Sequence, residues 1–340
     1  MKPLSFPFKA PAVNGELVDI APGIKWLRMP LPLALNHINL YLVRDGSGWR
    51  IIDTGMDTAE TRALWERLLP ILDGPITGII CTHHHSDHSG LAGWLTERLR
   101  VPLSMSRAEY FAMRLFDEQS SFNSWEYQEF FARAGLGQGQ FEQIMASLKL
   151  FHNNSPIARA YQRLRDGDRL SIGDHLWQVR GGEGHSPEHA ALYCPDLGIL
   201  LSGDQLLARI SPNVGVLPFE PQANPLEDWF RSLQRIGQLP DDTLVLPAHE
   251  LPFYGLATRA QQLTEHHLGV LDRLHALCIA SPDTVYGLSR ELFPNRHGAL
   301  DDILAISETL AHLAYLLSQG RVTRRLEDQG RHQYQGIGEI

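Results

Sequence analysis

Residues 24–55 contain apolar, β-rich runs separated by turn residues, a strand, turn, strand pattern that is typical of a β-hairpin. The runs IKWLRMPL and NLYLVRDGSGWRIIDTG are rich in β-forming residues and contain two glycine turns. Apolar residues at helical spacing follow over 59–73, and ITGIICT at 76–82 is a short apolar strand. With a further helix at 91–99, this part of the chain predicts a sheet that alternates with helices.

The second half of the pattern predicts four more strands between residues 168 and 204, and one at 243–249. The segments DRLSIG, HLWQVRGG, HAALYCP and GILLSGD are short and bounded by Gly, Pro or Asp, and TLVLPAH ends the series. From residue 256 the spacing is helical to about 318, and a hairpin is predicted around 328–330. We therefore expect two units, at 1–255 and 256–340.

Residues 105–165 differ in composition from the segments on either side. They hold 11 of the 29 aromatic residues of the chain, mostly at helical spacing. We interpret this stretch as a helical insert in the first unit. Core packing explains many of these aromatics equally well.

The densest cluster of chemically active side chains directly follows the strand at 76–82. It places His83, His84, His85, Asp87 and His88 within six residues. Side chains two apart in an extended segment project to the same side, so His83 and His85 can bind one metal ion while His84 points away. Histidine clusters also occur in loops without a catalytic role, so this cluster needs support from the rest of the chain.

Three later turns supply that support, because each combines a histidine or an aspartate with an apolar strand. They are Gly184-His185-Ser186-Pro187-Glu188-His189, Ser202-Gly203-Asp204 and Pro247-Ala248-His249-Glu250. Four such turns at one edge of a sheet would form a metal site.

In this order, the motifs resemble those of the metallo-β-lactamase superfamily: His-x-His-x-Asp-His, Gly-His-Ser-Pro-x-His, an Asp after a strand, and a final His. The resemblance covers roughly residues 20–255. It implies an αββα sandwich of the α/β class, with the insert at 105–165. It also implies the role of Asp53, in the run IIDTG, as a support for the ligands.

The resemblance implies two divalent metal ions, with zinc favoured and iron or manganese as alternatives. One ion is assigned to His83, His85 and His185, and the other to Asp87, His88 and His249, with Asp204 bridging. Asp87 and Asp204 are also the candidate catalytic residues. The implied reaction is hydrolysis by a solvent molecule that both ions activate.

Three other histidines have two interpretations each. His189 either hydrogen-bonds near the site or is an ordinary packed histidine. His84 is expected in supporting or core contacts. His37, before the strand INLYLV, either lines the mouth of the cleft or is a loop residue without a special role.

Residues 256–340 resemble the winged-helix-like module of a group of these hydrolases that includes endoribonucleases. Its third predicted helix begins Asp301-Asp302 and carries no Lys or Arg, and the module holds ten acidic residues against eight arginines. Phosphates would be repelled, so we expect packing on the first unit or a homodimer contact. Arg321, Arg324 and Arg325 keep a nucleic-acid or CoA-phosphate role open.

Overall composition limits the remaining choices. A net charge of -9 argues against general nucleic-acid binding. The prolines at positions 3, 7 and 11 interrupt any signal peptide, and no apolar run is long enough to span a membrane. Three well-separated cysteines fit buried thiols in a reducing cytosol. We therefore expect a cytoplasmic protein without a membrane partner.

The substrate class is argued from charge and aromatic content. An acidic chain with an aromatic insert containing several arginines favours a small acyl thioester or ester, such as an acyl-CoA. An endoribonuclease or phosphodiesterase and a lactonase are the alternatives. A redox or purely binding role is disfavoured, because the di-iron redox relatives carry Glu where this chain has His85, and no flavodoxin-like segment follows.

Overall fold

A computed structural model of the protein describes residues 3–117, 124–148, 155–327 and 329–338. The chain divides into two compact units. The first contains the described residues of 1–117, 153–212 and 233–260, and the second those of 118–152, 213–232 and 261–340.

The first sheet has seven strands whose spatial order is their order along the chain. They are β1 (Val18–Ala21), β2 (Ile24–Pro30), β3 (His37–Asp45), β4 (Gly48–Ile52), β5 (Ile76–Ile80), β6 (Leu103–Ser106) and β7 (Gln162–Leu164). Neighbours are antiparallel from β1 to β4 and parallel from β4 to β7. The strands predicted within 24–55 and at 76–82 are confirmed.

The second sheet has five strands. They are β8 (Arg169–Ile172), β9 (His175–Gly182), β10 (His189–Cys194), β11 (Ile199–Gly203) and β12 (Leu244–Pro247), in the order β12-β11-β10-β9-β8. β11 and β12 are parallel, whereas β10 is antiparallel to β11. The start of β10 and the ends of β11 and β12 therefore meet at one edge of the sheet.

The two sheets face each other across one apolar core. Trp26 and Tyr41 project into this core from the first sheet, and Trp177, Leu192 and Leu246 project from the second. Burial of apolar surface in such a core is the main favourable contribution to folding. The expected α/β sandwich is confirmed, and the core brings the loops of both sheets to one rim.

Ten α-helices are present in the described residues. They are α1 (Ala59–Leu68), α2 (Ser86–Ser89), α3 (Ala92–Leu99), α4 (Arg107–Asp117), α5 (Trp125–Arg133), α6 (Gln138–Leu148), α7 (Pro225–Ile236), α8 (Leu256–Ala280), α9 (Val285–Leu292) and α10 (Ala299–Ser318). The Thr58 side chain caps α1 by accepting from the N–H of Thr61, and a short 3₁₀ turn at Leu69–Ile71 ends the predicted 59–73 helix. No element was predicted where α7 lies.

The second unit combines helices with a small sheet of β13 (Asp283–Thr284), β15 (His332–Gly336) and β14 (Val322–Leu326). The three predicted C-terminal helices and the hairpin are confirmed. α5 and α6 of the predicted insert belong to this unit, whereas α4 belongs to the first. The boundary at 255 and the winged-helix likeness stay predictions. No described helix is long and apolar enough to cross a membrane.

Candidate metal centre

The histidine cluster lies in the turn between β5 and α2, within the first unit. His83 and His88 are buried, while His85 and Asp87 are partly buried. His84 turns away from its neighbours, and its ring stacks on Phe116 with a centroid distance of 5.1 Å. The alternation expected for an extended segment therefore places His83 and His85 on one side of the turn.

The first group of converging side chains is His83, His85, His185 and Asp204. One potential ligand atom from each lies within 4.8 Å of the others. Nε2 of His83 is 2.9 Å from Nδ1 of His85 and 3.3 Å from Nε2 of His185. Nε2 of His185 is in turn 3.4 Å from the Asp204 carboxylate.

The second group is Asp87, His88 and His249, whose ligand atoms meet the same distance limit. Nε2 of His249 lies 3.3 Å from Oδ2 of Asp87, and Nε2 of His88 lies 3.6 Å from the same oxygen. Asp204 links the groups, because its Oδ1 is 3.5 Å from Nε2 of His249 while its Oδ2 is 3.5 Å from Nε2 of His88. The structure thus brings all seven residues together, in two groups joined by one carboxylate.

These side chains fit divalent metal ions. Nε2 of His88 and Oδ1 of Asp204 are buried atoms that make no hydrogen bond within the described residues. Leaving such groups unpaired is unfavourable, whereas imidazole nitrogens and carboxylate oxygens turned toward a common point are what a transition metal requires.

Burial and mutual charge shift the pKa values of the same groups in opposite directions. Burial, together with neighbouring histidines, holds the pKa of His83 and of His85 well below the usual value. Burial would also lower the pKa of His249, but the carboxylates of Asp204 and Asp87 outweigh it and raise the pKa to about 10. A metal ion would therefore have to displace a proton from His249.

Asp53, which directly follows β4, positions His88. Its Oδ2 accepts from Nδ1 of His88 at 2.8 Å, which leaves Nε2 of that ring for the centre. Its Oδ1 accepts from the N–H of Thr82 at 2.7 Å. Asp53 has a φ of 59°, in the region that favours glycine. The expected supporting role of Asp53 agrees with this geometry, since outer hydrogen bonds orient ligand histidines.

His37 and His189 form hydrogen bonds that position the ligands His249 and Asp204. Nδ1 of His249 donates to the backbone carbonyl of His37 at 2.9 Å, and the His37 ring accepts from the N–H of Glu250. Nε2 of His189 accepts from the N–H of Asp204 at 3.2 Å. Gly203 has a φ of 51°, and a Cβ there would lie 2.4 Å from Nε2 of His189. This close approach requires glycine immediately before Asp204.

Glu109 on α4 is a buried residue of this site that the sequence analysis missed. Its Oε2 accepts from the backbone N–H and from Nδ1 of His84, at 3.0 and 2.6 Å. Its Oε1 accepts from the N–H of Glu188 at 2.7 Å. Burial would raise the pKa of Glu109, but the adjacent His84 outweighs it and lowers the pKa to about 2. No motif contains Glu109, so only the fold reveals its position.

Comparison with known families and proteins agrees with this architecture. Residues 34–249 match the family described as the Metallo-beta-lactamase superfamily, and residues 271–337 match the Metallo-beta-lactamase-like, C-terminal domain. A probable metallo-hydrolase, YqjP, of Bacillus subtilis is 27% identical over 87% of this chain and 93% of its own length.

Two solved structures are similar over almost the whole chain. A beta-lactamase domain protein from Burkholderia ambifaria has a TM-score of 0.90 and 37% identity, covering 98% of each chain. A metallo-beta-lactamase family protein from Thermus thermophilus has a TM-score of 0.81 and 30% identity, covering 94% of this chain and 100% of its own.

Two relatives carry names that state a substrate. The acyl-coenzyme A thioesterase MBLAC2 of Gallus gallus is 24% identical, over 81% of this chain and 94% of its own length. A hydroxyacylglutathione hydrolase of Chromohalobacter salexigens is 32% identical, over 42% of this chain and 55% of its own length.

Proposed function

Because the chain belongs to the metallo-beta-lactamase superfamily and is a metallo-hydrolase, we propose that it holds two metal ions and hydrolyses an acyl thioester or ester. The single observation that carries this proposal is the arrangement of seven ligand side chains in two groups that share Asp204. Zinc suits the mixture of imidazole and carboxylate donors, and iron or manganese also accept it.

Two ions are favoured over one because each group offers enough donors for its own site. His83, His85 and His185 provide three nitrogens on one side, and Asp87, His88 and His249 provide two nitrogens and a carboxylate on the other. Three protein ligands with an open position are the usual pattern of a catalytic zinc site.

Each residue then has a defined part in the reaction. When bound, the two ions acidify a solvent molecule and polarise the carbonyl oxygen of the substrate. Asp204 fixes the position of the two ligand groups relative to each other, because its backbone N–H donates to Nε2 of His189. Asp87 is partly exposed, with Oδ2 turned toward His249, and it can accept the proton that the attacking water loses. The protein needs no covalent nucleophile of its own.

The acyl class draws support from both named relatives, since each name denotes hydrolysis of an acyl compound. Their low identity or short coverage leaves the particular substrate to experiment. The net charge of -9 also disfavours an extended polyanion such as RNA.

Aromatic side chains of α4 offer a surface for an apolar acyl group. Phe116 stacks on His84, and in the same helix Phe111 is 57% exposed. Tyr110 is buried and stacks on Tyr161 with a centroid distance of 4.0 Å, and both rings lie next to Phe111, with centroids 5.5 and 6.5 Å away, so they support the exposed ring from behind. Such rings bury a large apolar area when a ligand covers them.

A substrate panel on one metal-loaded preparation tests the proposal. We expect kcat/KM to be higher for an acyl-CoA thioester or an aryl ester than for a lactone, a phosphodiester or RNA. Replacement of the exposed ring, Phe111→Ala, should lower kcat/KM for long acyl chains more than for acetyl. Arg98→Ala, an exposed change on α3, is the matched control and should leave the chain-length preference unaltered.

Two results would contradict the acyl assignment. One is turnover of RNA or a phosphodiester far above that of every thioester, ester and lactone. The other is an unchanged chain-length preference after Phe111→Ala. A preparation that binds a single metal equivalent at full activity would instead contradict the two-ion assignment.

A further inference from the structure

A second cluster of metal-ligating side chains lies in the second unit, between α8 and α10. His266 and His267 are adjacent on α8, and Glu308 lies on α10. One potential ligand atom from each of these residues lies within 4.8 Å of the others. None of them belongs to the group of seven described above.

The Glu308 carboxylate is a partly buried acid without a cation. Oε2 accepts from the Asn213 side chain at 3.0 Å, and no Lys or Arg among the described residues forms an ion pair with Glu308. Burial raises the pKa of Glu308 to about 7. Removing a carboxylate from water is costly unless positive charge compensates it, and a divalent ion would supply that charge.

The tautomer of His267 is set by a chain of hydrogen bonds. Nδ1 of His312 lies 2.7 Å from the backbone carbonyl of Glu308, which can only accept, so this nitrogen carries the proton. Nε2 of His312 must then accept from Nδ1 of His267, 3.2 Å away. The lone pair of the His267 ring consequently resides on Nε2. Outer residues orient metal-binding histidines in the same way.

His267 is fully buried and lies beside Trp229 and Phe230, with ring centroids 6.4 and 6.2 Å away. Burial, with His312 next, lowers the pKa of His267 to about 3. His266 lies at the surface, where its side chain can adjust.

We propose that His266, His267 and Glu308 form a zinc site that joins α8 to α10. Two imidazoles and one carboxylate are an established donor set for zinc, with water in the fourth position. Ligand atoms bind zinc at about 2.0–2.2 Å, so rotation of the exposed His266 completes the site. Its role is to cross-link two helices, and it is independent of the hydrolytic centre.

Zinc stoichiometry of the full-length chain tests this site. Protein dialysed against a zinc buffer would be analysed for metal content as the parent and as His266→Ala and Glu308→Gln. Each variant should lose one equivalent, keep kcat/KM within about twofold of the parent, and show a smaller rise in Tm on adding zinc. His297→Ala is the matched control, an exposed histidine of the same unit, and should keep the parent stoichiometry.

An Asp204→Ala background separates this proposal from the hydrolytic assignment. There, the remaining zinc should fall by one equivalent when His266→Ala is added, whatever the occupancy of the hydrolytic centre. Equal zinc content in the parent and in both variants, or the same loss in His297→Ala, overturns the proposal. The parent series decides the matter alone if the Asp204→Ala protein does not fold.

Discussion

Oε2 of Glu109 lies 2.6 Å from Nδ1 of His84, and the other carboxylate oxygen of Glu109 accepts from the N–H of Glu188. One buried side chain of α4 therefore joins the turn that carries His83 to the turn that carries His185. These turns are far apart in the sequence, so the geometry of the first ligand group depends on Glu109.

Replacement of this residue, Glu109→Gln, should weaken zinc binding and lower kcat/KM. The two carboxylate oxygens of Glu109 accept from three N–H donors. Gln has only one acceptor oxygen, so at least one of these buried donors would lose its partner. The expected loss of metal affinity is about 10- to 100-fold, as for outer residues of other metal sites. Competition with a fluorescent chelator measures it, and the exposed Glu97→Gln on α3 serves as the control. Affinity equal to that of the parent would remove Glu109 from this role.

The same variant predicts a pH effect on stability. The folded-state pKa of Glu109 is lowered to about 2 from a usual 4.5, so its stabilising contribution is complete above pH 4.5 and is lost as pH falls through 2. The shift corresponds to about 3 kcal/mol. The difference in unfolding free energy between parent and Glu109→Gln should therefore shrink as pH is lowered from 6 to 3. Urea titrations of metal-free protein measure it, and a constant difference would refute the assignment.

Asp53→Asn should reduce metal affinity through His88. An amide nitrogen could face Nδ1 of His88, and the negative charge that supports the ring would be lost. We expect about a 10- to 100-fold weaker affinity at one ion, with little change at the other. Metal titration with two resolved binding steps checks this. The exposed Asp19→Asn should leave both steps unchanged, and equal weakening of both would show a general loss of structure instead.

Asp204→Ala should be the most damaging single substitution for activity. The carboxylate faces both ligand groups, so its removal weakens both ions. Metal analysis should show fewer equivalents than in any single histidine variant, with kcat reduced by at least about a hundredfold. The exposed Asp242→Ala should behave as the parent. Retention of the parent metal content by Asp204→Ala would contradict the linking role.

Duplex DNA should bind weakly or not at all at physiological salt. The first turn of α10 contains Asp301 and Asp302, and the helix carries no Lys or Arg. Fluorescence anisotropy across a salt series measures the affinity. Tight, salt-sensitive binding that disappears in the double variant Arg324→Ala, Arg325→Ala would show that β14 forms a nucleic-acid surface.

The sequence predicts the seven clustered side chains because their information is local. His83 to His88 lie in one turn. The other ligands lie in turns next to apolar strands, so the order of the strands along the chain indicates that these turns meet at one edge of the sandwich. The strands are short and well separated by glycine, proline or aspartate, which makes their periodicity clear. The pattern predicts the individual strands and helices, whereas the sandwich is implied by the resemblance to the superfamily.

Asp53 is expected to support the ligands because of the motif resemblance, but other supporting residues are not predictable in this way. Glu109 acts on His84 across 25 positions, and His37 contacts His249 across 212, and neither pair has a recognisable spacing. A different kind of omission concerns α7. Its buried residues Leu226, Trp229, Leu233 and Ile236 recur at helical spacing, so this signal was present in the sequence.

The ligands of the hydrolytic centre come from loops of both sheets. His83 follows β5 in the first sheet, whereas Asp204 and His249 follow β11 and β12 in the second. Bound ions would therefore connect the two layers, and because the unfolded chain has no preformed site, their binding free energy would stabilise the folded sandwich. Chelation should then make the sandwich more sensitive to proteases, because the metal-free protein lacks these links between its two sheets.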